Sequence, residues 1–402
     1  MNKKINMPLI ALAAGGTGGH MFPASALADE LMARGYKIML ITDKRGMAYE
    51  HIFKKCTVEC IISSSPMQGG FANRINSLLS LIKGSFRAAK LIKKHKAKAV
   101  IGFGGYPSLP AVIGGRLSGV HYGLHEQNAV LGKVNRLLVG GASFLATSFE
   151  NTRRIKEKQR AKVKLIGNPT RQVICRIGEA PYQLPNDNEA FNILAVGGSL
   201  GATVFADIIP AAVTFLDDEF KNRLFVTQQC RAEDKQRVEK AYKRSGIKFE
   251  TSEFIEDMAA ALEKAHLIIS RSGAGSVAEV ALAARPAIFV PLAIAADNHQ
   301  TFNARSLSEK RAGWLLQEHE FSPGPLAALI GGLLTASDQL DEAAGNARLQ
   351  ARPNATKDLA NLVEEAFFKD KKHKEEKEAE KTTSQKGKNK NMASTIKKRV
   401  AA

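Results

Sequence analysis

Four times along the 402-residue chain an apolar run ends in a glycine-rich turn that opens a helical pattern. The runs are "MPLIALAA" before "GGTGGH", "AKAVIGF" before "GGYPS", "FNILAV" before "GGSLGA" and "AHLIIS" before "RSGAGS". Such a rhythm constrains the fold to α/β, with parallel strands joined by helices that cover the sheet. "YKIMLIT", "GVHYGLH", "ASFLATS", "RLFVTQQ" and "RPAIFVP" read as further strands. The pattern restarts after "KVKLIGNPTR", and Gln172 to Glu189, with Pro181 and Pro185, reads as an irregular linker. Two α/β domains of similar size are therefore expected. In the second, Val204, Phe205, Ile208, Ile209, Ala212 and Val213 fall on one helical stripe.

The first loop fits neither common phosphate motif. A Walker A loop needs Lys and Ser/Thr after its last glycine, where His20 and Met21 stand. The dinucleotide fingerprint needs glycine or alanine where Met21 lies. Its physics remains: glycines let backbone N–H groups approach an anion, and a helix with Pro23 near its first turn aims its positive end there. A tight turn alone needs fewer glycines, so an anion or polar-ligand site is expected. Four such loops divided between two domains imply a cleft lined from both sides.

Charge and cysteine content narrow the class. Net charge is +19, of which Lys369 to Ala402 carries +7 from 12 Lys/Arg and 5 Asp/Glu. The basic remainder points to an anionic partner. The tail lacks aromatic residues and is expected to be disordered. Cys56, Cys60, Cys175 and Cys230 show no zinc spacing and read as reduced thiols. Met7 to Ala14 reads as a buried first strand rather than a targeting segment. No apolar run reaches the roughly 18 residues that span a bilayer, so a soluble or surface-attached protein is expected.

Seven motifs occur in order: "GGTGGHMFPA", "GFGGYPS", "HEQNAVLGKVNR", "GNPTR", "GGSLGA", "SRSGAGSVAE" and "DNHQTFNA". On these the chain, from Pro8 to Phe368, resembles the bacterial MurG family, the UDP-N-acetylglucosamine–N-acetylmuramyl-(pentapeptide) pyrophosphoryl-undecaprenol N-acetylglucosamine transferases. The resemblance implies a GT-B fold, two Rossmann-like parallel-sheet domains facing across a cleft. It divides the chain into an acceptor and membrane-facing domain (1–167), a UDP-GlcNAc-binding domain (168–345), a C-terminal helix region (346–368) and the basic tail (369–402). The implied reaction is inverting transfer of N-acetylglucosamine from UDP-GlcNAc to the muramoyl 4-hydroxyl of lipid I. Its product is lipid II, for peptidoglycan synthesis, cell shape and division. The implied setting is peripheral, at the cytoplasmic face of the inner membrane, with no cofactor and no metal in the chemical step. Implied partners are UDP-GlcNAc, lipid I, an anionic membrane surface and cell-wall synthesis proteins, with no nucleic acid.

Carried over by motif, the resemblance sets Thr17, Gly18 and Gly19 near the transferred sugar and diphosphate. Asn128 contacts the donor, and Arg171 and Ser199 hold the diphosphate region. Ile255 meets the uracil through its backbone, while Ala274, Gly275, Ser276, Val277, Ala278 and Glu279 wrap the nucleoside. Glu279 accepts the ribose hydroxyls, and Gln300, with Asn298 nearby, reads the sugar hydroxyls. The chemistry agrees: ribose recognition suits a carboxylate acceptor, and inverting transfer needs a base and a stabilised leaving group. The sequence contains no Asp-x-Asp pair, so loop amides, a helix dipole and Arg171 are expected to stabilise the departing diphosphate. His20 and Glu126 are both candidate bases, and His125 is expected to brace the loop. Leu200 and Thr203 stand where the family usually has glutamine and arginine, and Gly275 and Ser276 where it often has bulkier residues or Thr.

Arg74 to Lys96 forms a basic amphipathic pattern, with Ile75, Leu78, Leu79, Ile82, Phe86 and Ala89 on one stripe. Some of these residues are expected to pack inward and others to form an exposed patch on an anionic bilayer. Three other readings are open: a UDP-sugar epimerase or a transferase for another acceptor, a non-catalytic nucleotide-sugar binder, and a nucleic-acid-binding protein suggested by the charge.

Overall fold

The computed structural model describes residues 8–60, 71–186, 188–198 and 202–368. It contains two wholly parallel sheets, as the strand and glycine-loop rhythm predicts. The first holds β1 (Leu9–Ala13), β2 (Lys37–Thr42), β3 (Thr57–Cys60), β4 (Ala99–Gly102), β5 (Tyr122–Glu126), β6 (Leu145–Thr147) and β7 (Val163–Leu165). Their order is β3-β2-β1-β4-β5-β6-β7. The second holds β8 (Phe191–Val196), β9 (Leu224–Gln229), β10 (Lys248–Ser252), β11 (Leu267–Ser270), β12 (Ala287–Phe289) and β13 (Trp314–Leu315). Their order is β10-β9-β8-β11-β12-β13.

Central strands of a parallel sheet are covered on both faces, so they are apolar throughout. Leu12 pairs in register with Leu40 on one side and Ile101 on the other, and all three are fully buried. Ile193 sits likewise between Val226 and Leu267. The stripe predicted on the helix Thr203–Thr214 packs as expected, with Phe205, Ile209, Ala212 and Val213 buried and Val204 and Ile208 against the same core.

Strand order reverses at β1/β4 and again at β8/β11. At such switch points the loops leaving the carboxyl ends of adjacent strands part and leave a crevice. All the motif loops leave strands at this end. "GGTGG" follows β1, "GGYPS" follows β4, "HEQN" closes β5 and "GNPTR" follows β7. In the second sheet Ile255 follows β10, "RSGAG" follows β11 and "DNHQ" lies beyond β12.

Two local expectations need correction. The first helix, α1, runs Gly18–Ala33 and carries Pro23 inside it, so "GGH" forms its first turn instead of ending a loop. Gln172 to Glu189 is not wholly irregular: Gln172–Ile177 is helical because Ile174 and Ile177 bury against the second sheet's core. Both sheets belong to one unit, 1–359; of a second, 360–402, residues 360–368 are described and are helical. The tail and its expected disorder lie outside the described residues.

The helix α2 (Phe71–Lys94) separates small from large residues. Gly84, Ser85, Ala88, Ala89 and Ile92 are buried, packing beneath α3 (Ser108–Leu117). There Gly114 leaves no room for a Cβ, which would lie 2.7 Å from both Ala88 Cβ and Ala89 N. Ile75, Leu78, Leu79, Ile82 and Phe86 stay exposed, Phe86 to 65%. Of the predicted stripe only Ala89 turns inward.

Candidate active site

The chain leaves β1 through Gly15, where a Cβ would lie 2.6 Å from Pro107 Cβ and 2.8 Å from Asp43 Oδ1. This glycine therefore lets the first two glycine loops touch. Buried Asp43 ties the turn by accepting from Gly16 N (3.1 Å) and Gly46 N (2.8 Å). Thr17 is the N-cap of α1, and its carbonyl accepts from His20 N and Met21 N. Thr17 and Gly19 are exposed, and the Gly18 and Gly19 amides that open the helix have no acceptor within it.

His20 lies half-buried in that first turn. Its Nε2 sits 3.2 Å from where a Cβ on Gly105 would stand, and Gly105 has φ +73°. The second glycine loop thus serves close approach of the imidazole. His20 Nδ1 is 3.0 Å from Gln127 Oε1. Gln127 Nε2 is 2.9 Å from His125 Nδ1, and His125 Nε2 is 3.0 Å from Gly167 O. His125 is fully buried, and desolvation lowers its imidazole to about 4, so it is neutral at physiological pH. It braces the loop, as expected.

Glu126 is buried at 2% exposure. Its Oε1 accepts from Asn128 N and Nδ2, at 3.0 and 3.3 Å. Its Oε2 accepts from Gly132 N and Asn135 Nδ2, both at 2.9 Å. Four donors on one carboxylate hold the loop after β5 and leave little lone-pair capacity for a substrate proton.

In the second sheet, the helix Ala274–Ala283 follows β11 with Gly273 as N-cap. Ala274 and Val277 turn into the core, while Gly275, Ser276, Ala278 and Glu279 remain partly exposed. Arg171, half-exposed after β7, places its guanidinium 3.7 Å from Glu279 Oε1. Burial raises the Glu279 carboxyl above its usual range, and Arg171 opposes that rise. Ile255 packs partly buried against the same core. Gln300 accepts from Leu292 N through Oε1 at 3.0 Å, which leaves its Nε2 to donate. Exposed Asn298 takes a left-handed backbone at the N-cap position of the helix His299–Ser308. Ser199 and Leu200 lie outside the described residues; Thr203 is exposed at the start of its helix. Among the described residues no three His, Cys, Asp or Glu side chains form a metal-ligand set.

Sequence reasoning missed the residues that join the two halves. Asn303, fully buried, accepts from Ala129 N (2.8 Å) and donates to Asn128 Oδ1 (3.1 Å) and Ser272 O (3.0 Å). It thereby ties "HEQN" to "SRSG". Asp297, at φ +55°, is bridged by Arg136 (2.7 Å) and Arg154 (2.8 Å). Arg271, almost buried, fixes the loop after β12 through the Val290 and Pro291 carbonyls and Glu318. Gln127, Arg136 and Asn303 stand inside the motifs "HEQNAVLGKVNR" and "DNHQTFNA"; Arg154 gives no signal, since its partner lies far along the chain.

This geometry is that of a nucleotide-sugar transferase with two parallel-sheet halves. The glycosyltransferase family 28 N-terminal domain matches residues 10–146, and the family 28 C-terminal domain matches 192–365. A protein of Granulibacter bethesdensis is 42% identical over 361 residues, covering 89% of this chain and 94% of that protein. One from Paramagnetospirillum magneticum is 41% identical over 356 residues, covering 89% and 96%. Both are named UDP-N-acetylglucosamine–N-acetylmuramyl-(pentapeptide) pyrophosphoryl-undecaprenol N-acetylglucosamine transferase. The crystal structure of Acinetobacter baumannii MurG matches with TM-score 0.72 at 31% identity, covering 89% of this chain and 99% of that one. The chain has the GT-B fold and belongs to the MurG family of glycosyltransferase family 28.

Proposed function

We propose that the chain transfers N-acetylglucosamine from UDP-GlcNAc to the muramoyl 4-hydroxyl of lipid I, forming lipid II. The observation that carries this reading is likeness along nearly the whole length of transferases named for that reaction. The donor binds the second half, 168–345, and the acceptor the first, 1–167. Glu279 accepts from the ribose hydroxyls, Gln300 Nε2 donates to the sugar, Ile255 meets the uracil, and Arg171, with Ser199 of the "GGS" motif, holds the diphosphate region. Thr17, Gly18 and Gly19 approach the transferred sugar. Asn128, held between Glu126 and Asn303, lines the donor side.

In the reaction, His20 Nε2 removes the acceptor hydroxyl proton while that oxygen attacks the anomeric carbon. The bond from that carbon to the diphosphate oxygen breaks on the opposite face, and UDP leaves with the electron pair. Arg171 and the first-turn amides of the helix Ala274–Ala283 stabilise the charge that develops. We assign the base to His20 and a positioning role to Glu126, whose oxygens already accept four N–H bonds.

The exposed apolar stripe of α2, with Lys83, Arg87, Lys90, Lys93 and Lys94 also exposed, supports peripheral attachment to the anionic cytoplasmic face of the inner membrane. No helix among the described residues is long and apolar enough to cross a membrane. The site reading is tested by His20→Ala. It should lower kcat by about 10²–10⁴-fold with UDP affinity little changed; an unaltered kcat removes His20 from the chemistry.

A further inference from the structure

The imidazole of His20 ends a hydrogen-bonded line whose polarity is set at its far end. Gly167 O can only accept, so His125 Nε2 carries a proton. A neutral imidazole has one N–H, which leaves His125 Nδ1 bare. That nitrogen accepts from Gln127 Nε2 at 2.9 Å. Gln127 Oε1 is then turned toward His20 Nδ1 at 3.0 Å, and an oxygen there can only accept. His20 Nδ1 therefore carries the proton. Reversing the Gln127 amide fails, because it demands a proton on His125 Nδ1 and sets a bare Nε2 against the Gly167 carbonyl.

The anchor is rigid. His125 and Gln127 are at most 1% exposed. Gly167 has φ +100°, and a Cβ there would lie 2.7 Å from Arg352 Cβ, so this backbone position is closely packed. Among the described residues His20 Nε2 has no hydrogen-bond partner, and it is not among the buried unsatisfied atoms. It is thus free to meet a ligand.

We propose that Gln127 and His125 are positioning residues that fix His20 in the tautomer with Nε2 bare, the form able to accept the acceptor's proton. This rests on His20 being the base. As the proton arrives, the imidazolium strengthens its Nδ1–H bond to Gln127 Oε1, since charge-assisted hydrogen bonds are the stronger kind. The line itself does not move a proton: Gln127 has none to relay.

The test joins kinetics to a direct reading of the tautomer. In the full-length chain, Gln127→Leu should lower kcat roughly 10²-fold, with donor KM within about 2-fold. In a His20→Ala background, Gln127→Leu should cost nothing further, because the residues act as a unit. Nitrogen NMR of ¹⁵N-histidine-labelled wild-type protein should show His20 protonated at Nδ1 and bare at Nε2. A wild-type His20 protonated at Nε2 would overturn the proposal, whatever the variants do. So would a Gln127→Leu rate near wild type while His20→Ala is impaired, or an equal loss from Gln127→Leu in both backgrounds. Should His20→Ala keep full activity, the base assignment itself falls, while the tautomer is still read by NMR.

Discussion

Arg171 and Glu279 face one another at 3.7 Å, from the loop after β7 and from the helix Ala274–Ala283. The pair is loose for a salt bridge, and the arginine is half-exposed. Burial, the larger effect, raises the Glu279 carboxyl above its usual 4.5 despite the neighbouring cation. A carboxylate held so is poorly satisfied by the protein alone and suits hydroxyl donors from a ligand.

Glu279→Gln should therefore separate stability from binding. A raised folded-state value means that the folded chain holds this proton more tightly than the unfolded chain. Stability from this group is present at low pH and is lost as pH rises through the raised value. At neutral pH the glutamine variant should melt no lower than wild type. It should bind UDP more weakly by about 1.5–3 kcal/mol. Calorimetry and a thermal melt check both; unchanged UDP affinity would remove Glu279 from the site.

His125 gives the opposite sign. Its value is lowered from 6.5 to about 4, so the unfolded chain binds this proton more readily. The contribution is fully present above about pH 6.5 and is lost as pH falls toward 4, up to an order of 3 kcal/mol. His125→Gln should flatten the stability profile across that window in urea titrations. An identical slope in both proteins would place the acid sensitivity elsewhere.

Asn303→Asp preserves shape and removes donors. The carboxylate still accepts from Ala129 N, but Asn128 Oδ1 and Ser272 O lose their partner. A charge is also buried beside two acceptors. Stability should fall by roughly 2–4 kcal/mol, and donor KM should rise as Asn128 loosens. A urea midpoint within error of wild type would show that this junction is not needed.

Ile82→Glu combined with Phe86→Glu alters side chains that are 44% and 65% exposed. The fold and UDP affinity should be unaffected. Binding to anionic vesicles should be lost, and wild-type binding should weaken as salt rises, because each cation near the surface contributes about 1 kcal/mol. Equal binding to neutral vesicles would argue against the basic helix as the anchor.

Local sequence carried the central strands and not the edges. β3, β7, β10 and β13 are the outermost strands of their sheets, and the local pattern marks none of them. An edge strand such as "KFETS" is half-solvated and has no continuous apolar run. The start of α1 was misplaced because glycine and proline both argue against helix, yet "GGH" is helical once Pro107 and Asp43 hold the turn before it. His20 and Glu126 were found through the loops they occupy. Their different surroundings depend on Gln127, Asn135 and Gly167, which a linear pattern does not bring together. Asn303 and Asp297 act across the junction, so their partners became visible only in three dimensions.

The most direct measurement is transfer of radiolabelled N-acetylglucosamine from UDP to a short-chain lipid I analogue, with EDTA present. Labelled disaccharide-linked lipid formed by the wild-type chain is the expected result. Failure to form it, in a preparation that binds UDP by calorimetry, would contradict the assignment and point to another acceptor or to binding alone, with Leu200 and Thr203 the first residues to restore.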